Sequence, residues 1–186
     1  MKKPSRKIAA SSGLANPAKL KPVKSRNGIV QAIVETPKGS RNKFAFDPQL
    51  KIFTLSRILP AGMVFPLDFG FLPKTKAPDG DPVDVLLIMD EPAYPGIAVS
   101  ARLVGVIEGE QTEKDGTKSR NDRLLAVAEA TQVYAGIENL QQVPKALLSQ
   151  IDEFFVNYHR IQGRHYKPLG WKGAEVAMRS IEKLKI

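Results

Sequence analysis

Between Pro78 and Asp84 the chain reads PDGDPVD, which sets Asp79, Asp81 and Asp84 within six residues. Carboxylates that close repel by roughly 1 to 4 kcal/mol per pair, depending on exposure. Such a cluster either splays into water as an acidic turn that caps a strand, or it holds a cation. Asp79 and Asp81 share one side of a locally extended chain, and Asp84 joins them only where the backbone bends. Gly80 permits unusual backbone angles and Pro82 fixes one, so a bend is expected. Oxygen donors without His or Cys suit Mg²⁺, Mn²⁺ or Ca²⁺. An EF-hand fits poorly, because its glycine at the sixth place and its glutamate at the twelfth would fall on Asp84 and Asp90.

The elements that must hold this cluster are mostly strands. GIVQAIVET, from Gly28, is β-branched and partly alternating. KFAFD and KIFTLSR follow as a hairpin or meander, split by Asp47-Pro48. LPAGMVFPLDFGFLP, rich in proline and glycine among aromatics, predicts an ordered, partly buried loop. VDVLLIM is a buried strand, IAVSARLVGVI and RLLAVAEA are further strands, and Asp115-Gly116 marks a tight turn between the last two. Helical spacing enters only near the C-terminus. Leu147, Ile151, Phe154, Phe155 and Tyr158 recur behind Pro144, and Ala174, Ala177, Ile181 and Leu184 recur behind Trp171. Strands followed by two helices predict an α+β class with a small barrel or strongly bent sheet.

Composition narrows the options. A chain of 186 residues, 42% hydrophobic, buries a core as a single domain, taken as residues 28–186. Without cysteine there are no disulfides, zinc–thiolate sites or cysteine nucleophiles. No apolar run is long enough for a membrane helix and the N-terminus does not read as a secretory signal, so a soluble cytoplasmic protein is expected. The net charge of +9 belongs to residues 1–27, which hold eight Lys and Arg and no acid; setting them aside leaves 20 basic against 19 acidic residues. That tail predicts a disordered segment. It reads as a solubilising arm, an arm for nucleic acid or an acidic surface, or a transit-type peptide; nucleic acid is not expected as a partner of the domain.

DGDPVDVL resembles the signature of the soluble (family I) inorganic pyrophosphatases. The resemblance extends from about Ile33 to the end through VETP, KF at 43–44, Arg57, FPLDFGFLP, PG at 95–96, RLVGVI, LLAV and FFVNY…GW. It implies a compact five-stranded OB-like β-barrel with flanking C-terminal helices, and Mg²⁺-dependent hydrolysis of pyrophosphate. By this resemblance Asp79 and Asp84 are Mg²⁺ ligands, and Asp81 is a ligand that also orients and deprotonates the attacking water. Lys43, Arg57, Arg123 and Tyr158 bind the phosphates, and Glu35 lies near the cavity. A homo-oligomer, hexamer or dimer, is the implied assembly.

The chain departs from that family's pattern at several places. Phe65 and Phe69 stand where tyrosines are usual, Ala45 where an acid is, Arg123 where lysine is, and His159 where lysine follows the tyrosine. Asn121 occupies the place of an aspartate, while Asp122 is one residue out of register and faces the other side of an extended strand. Glu113 and Asp115 both remain open as the upstream acid. These losses leave room for a relative that takes another diphosphate or that only binds. His159 is expected at the surface near a helix C-terminus, His165 in a loop, Trp171 as a core anchor at a helix start, and Phe65, Phe69 and Phe71 in the core.

Overall fold

In this computed structural model, residues 16–23 and 28–186 are described. The order is β1 (Ile29–Thr36), β2 (Asn42–Asp47), β3 (Ile52–Ile58), β4 (Asp68–Phe71), β5 (Asp84–Ile88), β6 (Ala98–Thr112), β7 (Lys118–Arg120), β8 (Arg123–Ala128), α1 (Lys145–Arg160), β9 (His165–Gly173) and α2 (Ala174–Leu184). Five strands close a ring. β1 pairs antiparallel with β4, β4 with β5, β8 with β6 and β6 with β1, while β5 and β8 run parallel. The expected five-stranded barrel with C-terminal helices is therefore present. The hairpin β2–β3 forms a separate two-stranded sheet beside it.

The apolar runs of β5 and β8 are explained by burial on both faces. Val85, Leu87, Leu124 and Ala126 pack in one cluster with Ala177 and Ile181 of α2. Their alternate neighbours Leu86, Ile88, Leu125 and Val127 pack in a second cluster with Ile151 and Phe155 of α1. Both faces of β5 and β8 are thus packed, and the functional loop enters the barrel at Asp84, the first residue of β5.

Three expectations are corrected here. The stretch around His165 is a strand rather than a loop, because β6 runs 15 residues and its extension pairs with β9 from Thr112↔His165 to Gly105↔Gly173. Trp171 accordingly lies in β9, not at a helix start; its indole Nε1 donates to Asp152 Oδ1 at 3.1 Å and ties β9 to α1. The proline-rich loop contains a short strand, β4, where Asp68 to Phe71 bridges β1 and β5. Gly70 is needed there, since a Cβ would lie 2.0 Å from the carbonyl oxygen of Ile33.

Residues 1–15 and 24–27 of the basic tail lie outside the described residues. The segment between them is placed, with Pro17–Lys19 in a turn of 3₁₀ helix and Val23 bridged to Val30. No helix among the described residues is long and apolar enough to cross a membrane.

Candidate active site

The acidic loop is closed at its neck by Thr75. Its buried hydroxyl donates to the carbonyl of Leu72 at 2.6 Å and accepts from the amide of Val83 at 2.9 Å. Inside the neck, Ala77 N–H donates to Asp81 O at 2.7 Å and Gly80 N–H to Ala77 O at 2.9 Å. Gly80 has φ +96°, a conformation that disfavours any side chain, and this supplies the bend. Asp81 N–H donates to Asp79 Oδ1 at 3.1 Å, which fixes Asp79 over the turn. Asp79, Asp81 and Asp84 consequently all line one cavity of about 640 Å³, together with Glu35, Lys43, Arg57, Arg123 and Tyr158.

Crowding leaves a mark on the acids. Burial pushes the Asp84 carboxyl up to about 7; Arg123 and Lys43 oppose the shift, and Glu35 and Asp79 add to it. Its side chain keeps 28% exposure towards the cavity, so small ions still reach it. Asp81 is also raised, by burial first and then by the charges of Asp79 and Glu35, against Lys43. The acids thus stand together with less positive charge than they need.

Each cation rests on an aromatic face, which orients its polar end without consuming it. Lys43 Nζ lies 4.1 Å from the centroid of Phe69 and pairs with Glu35 Oε2 at 3.0 Å. Glu35 is itself anchored by the amide of Phe46 at 2.8 Å. Arg57 lies 5.6 Å over Tyr158. Arg123, only 3% exposed, lies 4.0 Å over Phe155 and 5.0 Å from Tyr166. Phe69 lacks the tyrosine hydroxyl but still forms the platform for Lys43. Phe65 and Phe71 are core residues as expected, and Phe65 packs edge-on to Tyr158 at 5.9 Å.

Arg123 carries the sharpest signal. Its Nη1 donates to the carbonyl of Asn121 at 3.2 Å, yet its buried Nε has no hydrogen-bond partner and lies 3.4 Å from Asp84 Oδ2. Asp84 therefore compensates this buried end of the guanidinium through an ion pair rather than a hydrogen bond.

His159 is not at the surface. It is 2% exposed, its Nδ1 meets the carbonyl of Phe155 at 2.8 Å, and its ring stacks on Tyr166 at 4.9 Å. Burial first, then Arg123, Arg164 and Arg57, lower its pKa to about 4, so it is neutral and carries no lysine-like charge. The helix terminus lost to tertiary packing, because β9 brings Tyr166 against the last turn of α1.

Asn121 faces the cavity and Asp122 does not. Asp122 accepts from the amide of Gly109 at 2.9 Å and pairs with Arg120 at 2.9 Å. Glu113 lines the cavity, whereas Asp115 turns back to accept from its own loop at Thr117 N–H, 2.9 Å away. Ala45 lies at the edge and contributes no polar group. Among the lining residues that went unread in the sequence are Gln111 and Arg164. Gln111 had a signal, since it follows Ile107 and Gly109 on the buried phase of β6 and a polar residue there needs partners. Arg164 had none; the junction between α1 and β9 brings it in.

A dication fits the donor set, which is all oxygen and short of positive charge. Among the described residues no three acidic, imidazole or thiol groups converge as a closed metal cage. Mg²⁺ keeps several waters and shares carboxylates with substrate phosphates, so it does not call for such a cage.

Residues 32–185 match the family model for inorganic pyrophosphatase. The inorganic pyrophosphatase of Methanosarcina acetivorans is 37% identical over 157 residues, covering 84% of this chain and 90% of that protein. That of Synechocystis is 33% identical over 162 residues, covering 87% and 93%. Among solved structures, the inorganic pyrophosphatase of Thermus thermophilus superposes with a TM-score of 0.83 at 31% identity, covering 91% of this chain and 97% of that one.

Proposed function

This chain belongs to the inorganic pyrophosphatase family and is a metal-dependent enzyme that hydrolyses inorganic pyrophosphate, and on that premise we propose how its own residues divide the work. Asp79 and Asp84, with Asp81, would hold Mg²⁺. When bound, the ion neutralises the polyanion and acidifies a trapped water.

Asp81 is the proton acceptor for the attacking water. Its raised proton affinity brings it nearer the range in which a carboxylate works as a base. The water oxygen forms a bond to one phosphorus as the bridging P–O bond breaks. The electron pair leaves with the second phosphate, and the water's proton passes to Asp81. Lys43, Arg57 and Arg123 hold phosphate oxygens in line for that displacement, and Tyr158 offers a hydroxyl while its ring carries Arg57. One observation carries this reading: Asp79, Asp81 and Asp84 line a single cavity with Lys43, Arg57 and Arg123, so carboxylates for a cation and donors for phosphate face the same space.

The test is phosphate release from pyrophosphate by the full chain, with Mg²⁺ and with excess EDTA. Release that appears with Mg²⁺ and stops with EDTA is expected. No release across a range of Mg²⁺ concentration and pH would refute the assignment.

We also propose a homo-oligomer. Ile52, Leu55 and Ile58 on β3 are exposed large apolar residues that such an assembly would cover. Sedimentation velocity checks it, and a monomer at micromolar concentration would count against it.

A further inference from the structure

The wall of the cavity formed by the end of β6, the start of β8 and the α1–β9 junction is wired unlike the acidic loop. Asn121 Nδ2 donates to Gln111 Oε1 at 2.6 Å, Gln111 Nε2 donates to Glu113 Oε1, and Glu113 Oε2 pairs with Arg164 Nε at 2.7 Å. The relay runs from one neutral amide through another to an ion pair that is already closed. Its single carboxylate is compensated, and Gln111 Oε1 already accepts a hydrogen bond. A dication recruited here would have to displace a guanidinium from Glu113 and would find only uncharged amide oxygens beside that one carboxylate, although Mg²⁺ dehydrates reluctantly even for carboxylates. Arg57, Arg123 and Arg164 all bear on the neutral His159, so three permanent cations gather on this side of the cavity against Glu113.

We propose that Arg164 is a substrate-binding cation of this enzyme: held on Glu113 at the end of the amide relay, it supplies on this wall the positive charge that a further dication would otherwise bring. This deepens the hydrolytic reading and rests on it. The Arg164 side chain is 39% exposed, so it can pivot on Glu113 to meet phosphate oxygens as they arrive. Pyrophosphate would then lie between a metal-dependent side and a metal-independent side.

The experiment has a binding arm without substrate and a kinetic arm. In the first, Mn²⁺ is titrated calorimetrically into the wild-type protein and into the double variant Gln111→Asp with Asn121→Asp. The double variant is expected to take up one more Mn²⁺ per chain. Equal stoichiometry in the two proteins overturns the proposal. In the second, Arg164→Ala is expected to raise KM for pyrophosphate about tenfold or more while kcat changes by only a few-fold, the scale of one lost charge-assisted hydrogen bond. Arg164→Lys should recover most of the loss. An unchanged KM in Arg164→Ala overturns the proposal, as does a fall in kcat alone. A wild-type chain that releases no phosphate would sink the hydrolytic reading instead, and the Mn²⁺ count would still be read.

Discussion

The loop from Ala77 to Asp84, with Glu35, sets four carboxylates against Lys43, whereas the wall around Asn121 sets three guanidiniums against Glu113. On the first side burial, and after it the neighbouring acids, raise the proton affinity of Asp81 and Asp84. The second side carries its cations permanently, and burial first, then those cations, keep His159 neutral. Arg123 joins the two, since its guanidinium reaches the Asn121 carbonyl on one side and Asp84 on the other. A polyanion can be neutralised by resident guanidiniums or by recruited ions, and the proposed assignment has this cavity use both.

The severest disruption of that contrast is to empty the acidic side. Asp79→Ala combined with Asp84→Ala should abolish phosphate release at any Mg²⁺ concentration while leaving the fold intact, checked by circular dichroism and initial rates. Removing a cation should do less: Arg57→Ala is expected to raise KM for pyrophosphate by about 10- to 100-fold, the scale of one or two charge-assisted contacts, read from steady-state kinetics.

The third prediction concerns pH. Asp84 holds its proton up to about 7 in the folded chain but only to its ordinary value of 3.8 when unfolded. Between those values the native state binds the extra proton, so the contribution of Asp84 makes the metal-free protein less stable as pH rises from about 4 through about 7. Thermal melts in EDTA should show this decline, and Asp84→Asn should remove it. Arg123 is the largest influence lowering the Asp84 pKa, so Arg123→Gln should move the midpoint of Mg²⁺ binding to higher pH. The smallest effect is expected from Thr75→Val, which keeps the shape but leaves Val83 N–H without its acceptor at the loop neck. It should cost about 1 to 3 kcal/mol of stability by denaturant titration and weaken Mg²⁺ binding a few-fold, and Thr75→Ser should restore both.

The acidic side was legible in the sequence because its determinants are local. Gly80 and Pro82 sit among the aspartates they bend, and the all-apolar texture of the next strand announced a segment buried on both faces. On the guanidinium side Arg57 and Arg123 were named through the family resemblance, but Gln111, Arg164 and the relay that joins them to Asn121 were not, because its parts come from β3, β6, β8 and the α1–β9 junction and meet only in three dimensions. The missed strand β9 explains most of this. GRHYKPLG carries the marks of a loop, yet the long extension of β6 pairs with it, and a bulge at Glu108 and Gly109 admits Pro168 opposite. Gly109 is required at that point, since a Cβ there would lie 2.1 Å from the Tyr166 hydroxyl. With β9 in place, Tyr166 buries His159 and Arg164 swings onto Glu113. None of this follows from spacing along the chain.

The central claim is that Asp81 removes the proton of the attacking water within a site whose cations stay in place without it. It is tested most directly by the initial rate of phosphate release from pyrophosphate by Asp81→Asn at saturating Mg²⁺, beside the wild type. A kcat lowered about 100-fold or more is predicted, the scale of general-base catalysis, with KM for pyrophosphate nearly unchanged. An Asp81→Asn chain that turns over at the wild-type rate would contradict it.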